Sequence, residues 1–171
     1  MLIRLAGLPP GPQTFEYRCS AGEYLDDTDT FPGDINIRAT VEREGNSLRL
    51  TLETELLGHF ICDRCGKAFQ RNHRSRSDFF YVFEEIVGGT SIADEVAVIP
   101  RDAISLNVSQ EIRDQVILGM PLKFLCREDC RGLCPMCGAD LNVRECNCQK
   151  KTIDPRWEAL QKLKTKKRNH K

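Results

Sequence analysis

The stretch INIRATVEREGNSLRLTLET, residues 35–54, decides the fold class. Apolar and polar residues alternate on both sides of Gly45 and Asn46, and this dipeptide favours a tight turn. A period of two places successive side chains on opposite faces of a strand. The stretch therefore predicts a β-hairpin with one face buried in a core.

Working outward, the same reading predicts more strands on both sides and one helix. Further extended runs are 59–61, a run that starts after Cys65 and includes Phe69 and then 79–83, and 96–99; residues 1 to about 20 predict an arm or a first edge strand. A helical stripe follows, with Asn107 as its predicted cap; its members are Val108, Ile112, Val116 and Met120. Asp154 and Pro155 then predict the start of a last helix.

These elements predict an α+β fold in three segments. Residues 1–125 form a β-rich domain, an antiparallel β meander or small barrel with one packed helix. Residues 126–150 form a cysteine-rich, zinc-binding segment, and residues 151–171 form a C-terminal basic helix and tail.

Composition indicates a soluble cytoplasmic protein. The 171 residues carry no net charge, no apolar run long enough to span a membrane and no signal-peptide pattern at the start. Nine cysteines are many for a reducing compartment, where closely spaced thiols serve as metal ligands or redox groups rather than as disulfides.

The cysteines form four close pairs, and two of these share the pattern Cys-x-x-Cys-Gly. Two thiolates at this spacing bind one ion from a tight turn, and the following glycine permits a positive φ. Zinc is the preferred ion, with an iron–sulfur cluster, a redox motif or unliganded thiols as alternatives. The candidate ligands are Cys62, Cys65, Cys126, Cys130, Cys134, Cys137, Cys146 and Cys148.

Two pairings of these ligands are open. The favoured one builds two Cys₄ zinc sites, Cys62/Cys65/Cys126/Cys130 and Cys134/Cys137/Cys146/Cys148. The rival joins the two Cys-x-x-Cys-Gly motifs in one zinc ribbon. Cys19 is left over and is interpreted as a small buried hydrophobe.

The sequence predicts no enzyme. It contains no phosphate-binding loop, dinucleotide fingerprint, His-Glu-x-x-His motif or nucleophile elbow. The three histidines are scattered, and His59 is read as a surface residue or a neighbour of the first site. Four protein ligands per zinc ion leave no open position for a catalytic water.

Two basic stretches are candidate nucleic-acid contacts, with a solvated face as the alternative for each. Residues 149–171 hold nine Lys or Arg and two acids, so this end carries +7. Such side chains neutralise phosphates without reading base sequence. The candidates are Lys67, Arg71, Arg74, Arg76, Lys162, Lys164, Lys166, Lys167 and Arg168.

The chain resembles the large ribosomal RNA subunit accumulation protein family, also called YceD-like. The resemblance lies in residues 121–123 and 126–142, in the Cys62–Cys65 motif, and in Asp154-Pro155-Arg156-Trp157 with Leu160 and Leu163. It implies a non-enzymatic ribosome biogenesis factor that supports accumulation of the large-subunit (23S) rRNA by processing, stability or assembly. The resemblance supplies no catalytic residue.

The implied partner is the large-subunit rRNA or a pre-ribosomal particle. No association with a membrane is expected. One alternative is a zinc-stabilised adaptor whose acidic loop, residues 23–34, helps it to recruit a ribosomal protein or an RNA-processing enzyme. Another is a nuclease that acts directly on precursor RNA.

Overall fold

A computed structural model describes residues 1–84 and 97–148. Its elements, in chain order, are β1 (Leu2–Arg4), β2 (Gln13–Ser20), a short 3₁₀ helix (Ala21–Glu23), β3 (Asp34–Glu44), β4 (Ser47–Ile61), β5 (Ala68–Glu84), β6 (Ala97–Pro100), β7 (Ser105–Asn107) and α1 (Ser109–Leu118). The chain divides into two compact units, 1–129 and 130–171. The three predicted segment boundaries stay a prediction.

The predicted hairpin is confirmed as β3 and β4. The two strands pair antiparallel from Ile35↔Leu56 to Glu44↔Ser47, so Gly45 and Asn46 form the turn. The apolar positions of the alternation face the core and are fully buried, among them Ile35, Ile37, Leu50 and Leu52. The local pattern therefore set both the turn and the buried face.

Strand β4 is longer than the sequence predicted. Its fifteen residues include the run at 59–61, which the sequence analysis treated as a separate strand. All fifteen pair with β5, from Ser47↔Val82 to Ile61↔Ala68. The alternation of buried and exposed side chains continues without a break through Leu56 and Phe60, so nothing ends the strand there.

The main sheet has the order β2-β3-β4-β5-β6. Strands β2 to β5 form the predicted antiparallel meander, but β6 pairs parallel to β5, from Tyr81↔Ala97 to Glu84↔Pro100. Side-chain alternation is the same in both directions, so the sequence could not distinguish them. Among the described strands, β2 and β6 are the two edges, so this sheet is open rather than a closed barrel.

Of the two alternatives for the first twenty residues, the edge strand is confirmed, and it is β2. Strand β1 pairs with β7 in a separate two-stranded sheet, while β2 is an edge strand of the main sheet. The Met1 carbonyl accepts a hydrogen bond from the Val108 amide at 3.0 Å, and the terminal ammonium donates to Ser109 Oγ at 2.8 Å. The N-terminus is thereby tied to the start of α1.

Helix α1 packs one face against β4 and β5. Val108, Ile112 and Val116 are fully buried and Met120 is partly buried, which confirms the predicted stripe. The predicted cap was one residue off, because Val108 and not Asn107 occupies the N-cap position; the Asn107 side chain still accepts a hydrogen bond from the Ser109 amide at 3.1 Å. No helix within residues 1–84 and 97–148 is long and apolar enough to cross a membrane. The predicted C-terminal helix lies outside the described residues.

Gln115 fixes the position of α1 on the sheet. The side chain is 3% exposed, and its Nε2 donates to the carbonyls of Leu52 (3.1 Å) and Ser75 (2.8 Å). These carbonyls belong to the adjacent strands β4 and β5, so one amide group bridges both strands to the helix. Removal of this buried donor would leave the carbonyls of Leu52 and Ser75 without the Gln115 hydrogen bonds, which costs folding free energy.

His73 is the second buried polar group under the helix. Its side chain is 7% exposed, and its Nε2 lies 3.1 Å from the Val116 carbonyl of α1. Burial lowers the pKa of His73 because it disfavours the charged imidazolium, and the bond to Val116 offsets only part of this effect. The folded chain therefore keeps this histidine neutral, with its Nε2–H donated to the carbonyl.

We predict that Gln115→Met lowers the free energy of unfolding by about 1–3 kcal/mol, because the side-chain volume is kept but the buried donor is lost. Chemical denaturation measures the change. Gln110→Met is the matched control on the exposed side of the same helix and should change stability by less than about 0.5 kcal/mol. Equal effects of the two substitutions would contradict the anchoring role of Gln115.

We also predict that His73 makes the fold acid-sensitive. The unfolded chain takes up a proton near the ordinary histidine pKa of about 6.5, whereas folded His73 does so only at lower pH. The contribution of neutral His73 to the free energy of unfolding is therefore complete above about pH 6.5 and decreases as the pH falls below that value. Denaturation between pH 7.5 and 5.5 should show a smaller loss in His73→Gln than in the wild type.

His59→Gln is the control for this pH series, because His59 is exposed on the same sheet. A change of slope in His73→Gln that is absent in His59→Gln would assign the acid sensitivity to the buried histidine. The same slope in all three proteins would show that His73 does not titrate differently in the folded and unfolded chains.

Candidate metal centres

The structure gathers eight of the nine cysteines into two groups of four. The first tetrad is Cys62, Cys65, Cys126 and Cys130, and the second tetrad is Cys134, Cys137, Cys146 and Cys148. Within each tetrad, the four sulfur atoms lie within 4.8 Å of one another, close enough to hold one metal ion. This is the favoured pairing from the sequence, and the rival ribbon, which puts both Cys-x-x-Cys-Gly motifs in one site, is wrong.

The first Cys-x-x-Cys-Gly motif forms the turn between β4 and β5. The Cys62 amide donates to the Lys67 carbonyl at 2.9 Å, and the Gly66 amide donates back to the Cys62 carbonyl at 2.8 Å. Gly66 has a φ of +68°, the left-handed region that a side chain disfavours. The motif thus presents two sulfurs from a compact turn at the end of a long strand pair.

A second chain segment brings Cys126 to this turn. The Asp63 amide donates to the Phe124 carbonyl at 2.8 Å, and the Phe124 amide donates to Asp63 Oδ2 at 2.7 Å. Arg71 donates to the Leu125 carbonyl, and the rings of Phe124 and Phe60 stack at 4.4 Å between centroids. As a result, the sulfur of Cys126 lies 3.7 Å from that of Cys65.

The second motif repeats the backbone pattern of the first. The Cys134 amide donates to the Ala139 carbonyl at 2.8 Å, and the Gly138 amide donates to the Cys134 carbonyl at 2.9 Å. Gly138 has a φ of +70°, which matches Gly66. Both motifs therefore build the same local turn, as the spacing predicted.

Asp140 and Asn142 organise the loop after the second motif, a role that the sequence analysis missed. Asp140 Oδ1 accepts from the backbone and side-chain nitrogens of Asn142 at 2.9 and 2.8 Å. Asn142 in turn accepts from the Arg131 amide at 2.7 Å and donates to Cys130 Sγ at 3.5 Å. Short Asx residues in a cysteine-rich loop were the available signal, because they bond to nearby backbone groups.

Backbone amides favour the thiolate form of the first cysteine in each motif. Bonds from the Cys137 and Met136 backbone lower the pKa of Cys134 to about 6. At Cys62, burial acts to raise the pKa, but bonds from the backbone of Cys126, Cys65 and Arg64 outweigh it and lower the pKa to about 6. A preformed thiolate is the form that binds metal.

The two tetrads differ in burial. In the first, Cys62, Cys65 and Cys130 are buried, at 6% exposure or less, and Cys126 is half-buried. In the second, Cys134 is buried and Cys146 is half-buried, whereas Cys137 and Cys148 are exposed. The ligands of the second tetrad also come from one short stretch, 134–148.

Cys19 and His59 lie outside both tetrads. Cys19 is half-buried on β2 and packs against the core, and burial is the main reason that its pKa is raised. His59 is exposed, with its Nε2 2.9 Å from Gln70 Nε2. His59 is thus a surface residue of a strand, as the simpler interpretation had it, whereas Cys19 is only partly buried rather than fully buried.

The basic candidates fall into different environments. Arg74 and Arg76 lie on the outer face of β5 and form ion pairs with Glu55 (2.6 Å) and Glu53 (3.2 Å) of β4. Lys67 is exposed in the first turn, and Arg71 is exposed on β5, where it lies over the Phe69 ring at 5.3 Å. The remaining candidates, Lys162, Lys164, Lys166, Lys167 and Arg168, lie outside the described residues. Their nucleic-acid role stays a prediction.

A concave region of about 650 Å³ lies over the outer face of the main sheet. Its charges alternate along one row across four strands: Glu16, Arg38, Glu53 and Arg76. Arg38 forms ion pairs with Glu16 at 2.9 Å and Glu53 at 3.5 Å. Acids therefore compensate the arginines of this face, so it does not present a continuous basic surface.

Comparison with known proteins places these sites in a family context. The family model for "Large ribosomal RNA subunit accumulation protein YceD" matches residues 48–164, a range that contains all eight tetrad cysteines. Uncharacterized proteins of Mycobacterium bovis and Mycobacterium tuberculosis are 32% identical over 128 residues, which is 74% of this chain and 59% of each relative. The chain thus spans about three fifths of the length of these relatives.

A plant relative matches a shorter part of the chain. The "Large ribosomal RNA subunit accumulation protein YCED homolog 1, chloroplastic" of Arabidopsis thaliana is 34% identical over 65 residues, 38% of this chain and 20% of that protein. No solved structure matches the chain. From the family match over residues 48–164, the chain belongs to the YceD family of large ribosomal RNA subunit accumulation proteins.

Proposed function

We propose that this protein is a non-enzymatic factor that supports accumulation of the large-subunit (23S) rRNA. The observation that carries this proposal is the family match over residues 48–164, together with the relatives from Arabidopsis thaliana and Zea mays, whose names contain that role. Its partner is the large-subunit rRNA or a pre-ribosomal particle.

Each tetrad holds one Zn²⁺ in this proposal. Four cysteine sulfurs within 4.8 Å of one another fit the tetrahedral Cys₄ sphere that zinc adopts in structural sites. Zinc neutralises part of the charge of the four thiolates and fixes the chain segments that supply them. The need for reduced thiols supports a cytoplasmic location.

The first ion holds a chain segment against the sheet. Cys62 and Cys65 belong to the β4–β5 turn, whereas Cys126 follows α1, so the ion joins parts of the chain that are distant in sequence. With four protein ligands the coordination sphere is complete, and no position remains for an activated water. This supports a scaffolding role rather than hydrolysis.

We predict two zinc ions per chain by native mass spectrometry of the full-length protein. Cys65→Ser and Cys137→Ser should each lose one ion, because each removes a ligand from a different tetrad. Cys19→Ser is the control and should keep both. Acidification should release the metal as the thiolates protonate. A wild-type protein that binds one ion or none would contradict the proposal of two sites.

We predict that depletion of the protein lowers the ratio of large- to small-subunit rRNA in cells, with a matching loss of large subunits on sucrose gradients. Re-expression of the wild type or of Cys19→Ser should restore the ratio, whereas Cys65→Ser should not. An unchanged ratio after depletion would overturn the proposed function and leave a zinc-stabilised protein of another role.

A further inference from the structure

The second tetrad combines features that make thiols accessible to oxidants. Cys137 and Cys148 are the two exposed cysteines of the described chain, and both belong to this tetrad. The first tetrad has no fully exposed member; its most accessible cysteine, Cys126, is half-buried. Oxidation of cysteine follows thiolate character and exposure, so the two sites should react at different rates.

Cys137 and Cys148 are also placed to react with each other. Their sulfurs lie within 4.8 Å, and the Cys148 thiol is hydrogen-bonded to Cys137. The ligands of this tetrad come from a single short stretch, so a bond between the two sulfurs requires only a local rearrangement of the loop. In the first tetrad, Cys62 and Cys65 are held by the strand pair, and Cys126 by the bonds between Asp63 and Phe124.

We propose that the second tetrad is a peroxide-sensitive metal site in which Cys137 and Cys148 form a disulfide and release the ion, while the first tetrad keeps its ion. The inference rests on the proposed zinc occupancy of both tetrads. It assigns different tasks to the two sites, a permanent structural ion in the first and an oxidant-dependent ion in the second.

The reaction is balanced with hydrogen peroxide as the oxidant. One thiolate, of Cys137 or Cys148, attacks a peroxide oxygen; a sulfur–oxygen bond forms, the oxygen–oxygen bond breaks and hydroxide leaves. The other thiolate attacks the resulting sulfenic sulfur; the disulfide forms and a second hydroxide leaves. Two sulfurs lose two electrons in total, the peroxide gains them, and two solvent protons convert the hydroxides to water.

Loss of the ion follows from the number of ligands that remain. After the disulfide forms, Cys134 and Cys146 are the two thiolates left in the tetrad, and two ligands do not hold zinc in a closed four-coordinate site. A dithiol reductant reverses the step by thiol–disulfide exchange, after which added zinc can bind again. Unit 1–129 contains the β-sheets and α1, and its core residues are not ligands of the second tetrad.

The test is zinc release from the full-length, zinc-loaded protein treated with hydrogen peroxide, followed with a chromogenic zinc chelator. We expect one zinc per chain to appear on the order of tenfold faster than the second, because reactivity follows exposure. Peptide mapping without reductant should find the Cys137–Cys148 disulfide at the end of the fast phase. Circular dichroism should show the β-sheet signal unchanged at that point.

Variants separate the two sites. Cys148→Ser should start with one zinc and show no fast phase, whereas Cys65→Ser should start with one zinc and keep the fast phase. Release of both ions of the wild type at one rate, or a first disulfide within Cys62, Cys65, Cys126 and Cys130, would overturn the inference. A protein isolated without metal would overturn the proposed zinc occupancy itself, which native mass spectrometry distinguishes before any peroxide is added.

Discussion

The pairing of β4 with β5 is the constraint on which the rest of the molecule depends. Fifteen consecutive pairs fix which side chains of each strand face the core and which face outward, since a slip of one residue would exchange the two faces. Helix α1 packs on the inner face, where Gln115 donates a hydrogen bond to the sheet and His73 donates one to the helix. The end of the same pair carries the turn that presents Cys62 and Cys65. The core, the position of the helix and the first two cysteines of the first tetrad therefore depend on the same strand register.

The two Cys-x-x-Cys-Gly motifs show how one local structure acquires two environments. Their turns are alike, with the same backbone hydrogen bonds and a positive φ at Gly66 and Gly138. The first turn lies at the end of the long strand pair, where Phe60 and Phe124 stack beside it. The second is followed by a loop held by Asp140 and Asn142. Burial around each sulfur, rather than the motif, separates a protected site from an accessible one.

Strand pairing places acidic residues beside two arginines of β5. In sequence, Arg71, Arg74 and Arg76 form a basic cluster beside the first motif. In the sheet, glutamates of β4 lie opposite two of them, and cross-strand pairs of opposite charge stabilise the fold modestly. Phosphate contacts at these positions would compete with existing ion pairs. Neither Lys67, in the turn, nor Arg71, which lies opposite Gly58, faces these glutamates.

The sequence by itself determined the features that depend on neighbouring residues. Alternation from Ile35 to Thr54 predicted the hairpin, the Val108–Val116 stripe predicted the helix, and the Cys-x-x-Cys-Gly spacing predicted both turns. Tertiary structure alone decided that β6 runs parallel to β5, that Gln115 bridges two strands and that Asp63 and Phe124 join the two segments of the first tetrad. These features depend on contacts between residues far apart in the chain. Their free energies are set by packing and strand register, which local periodicity does not encode.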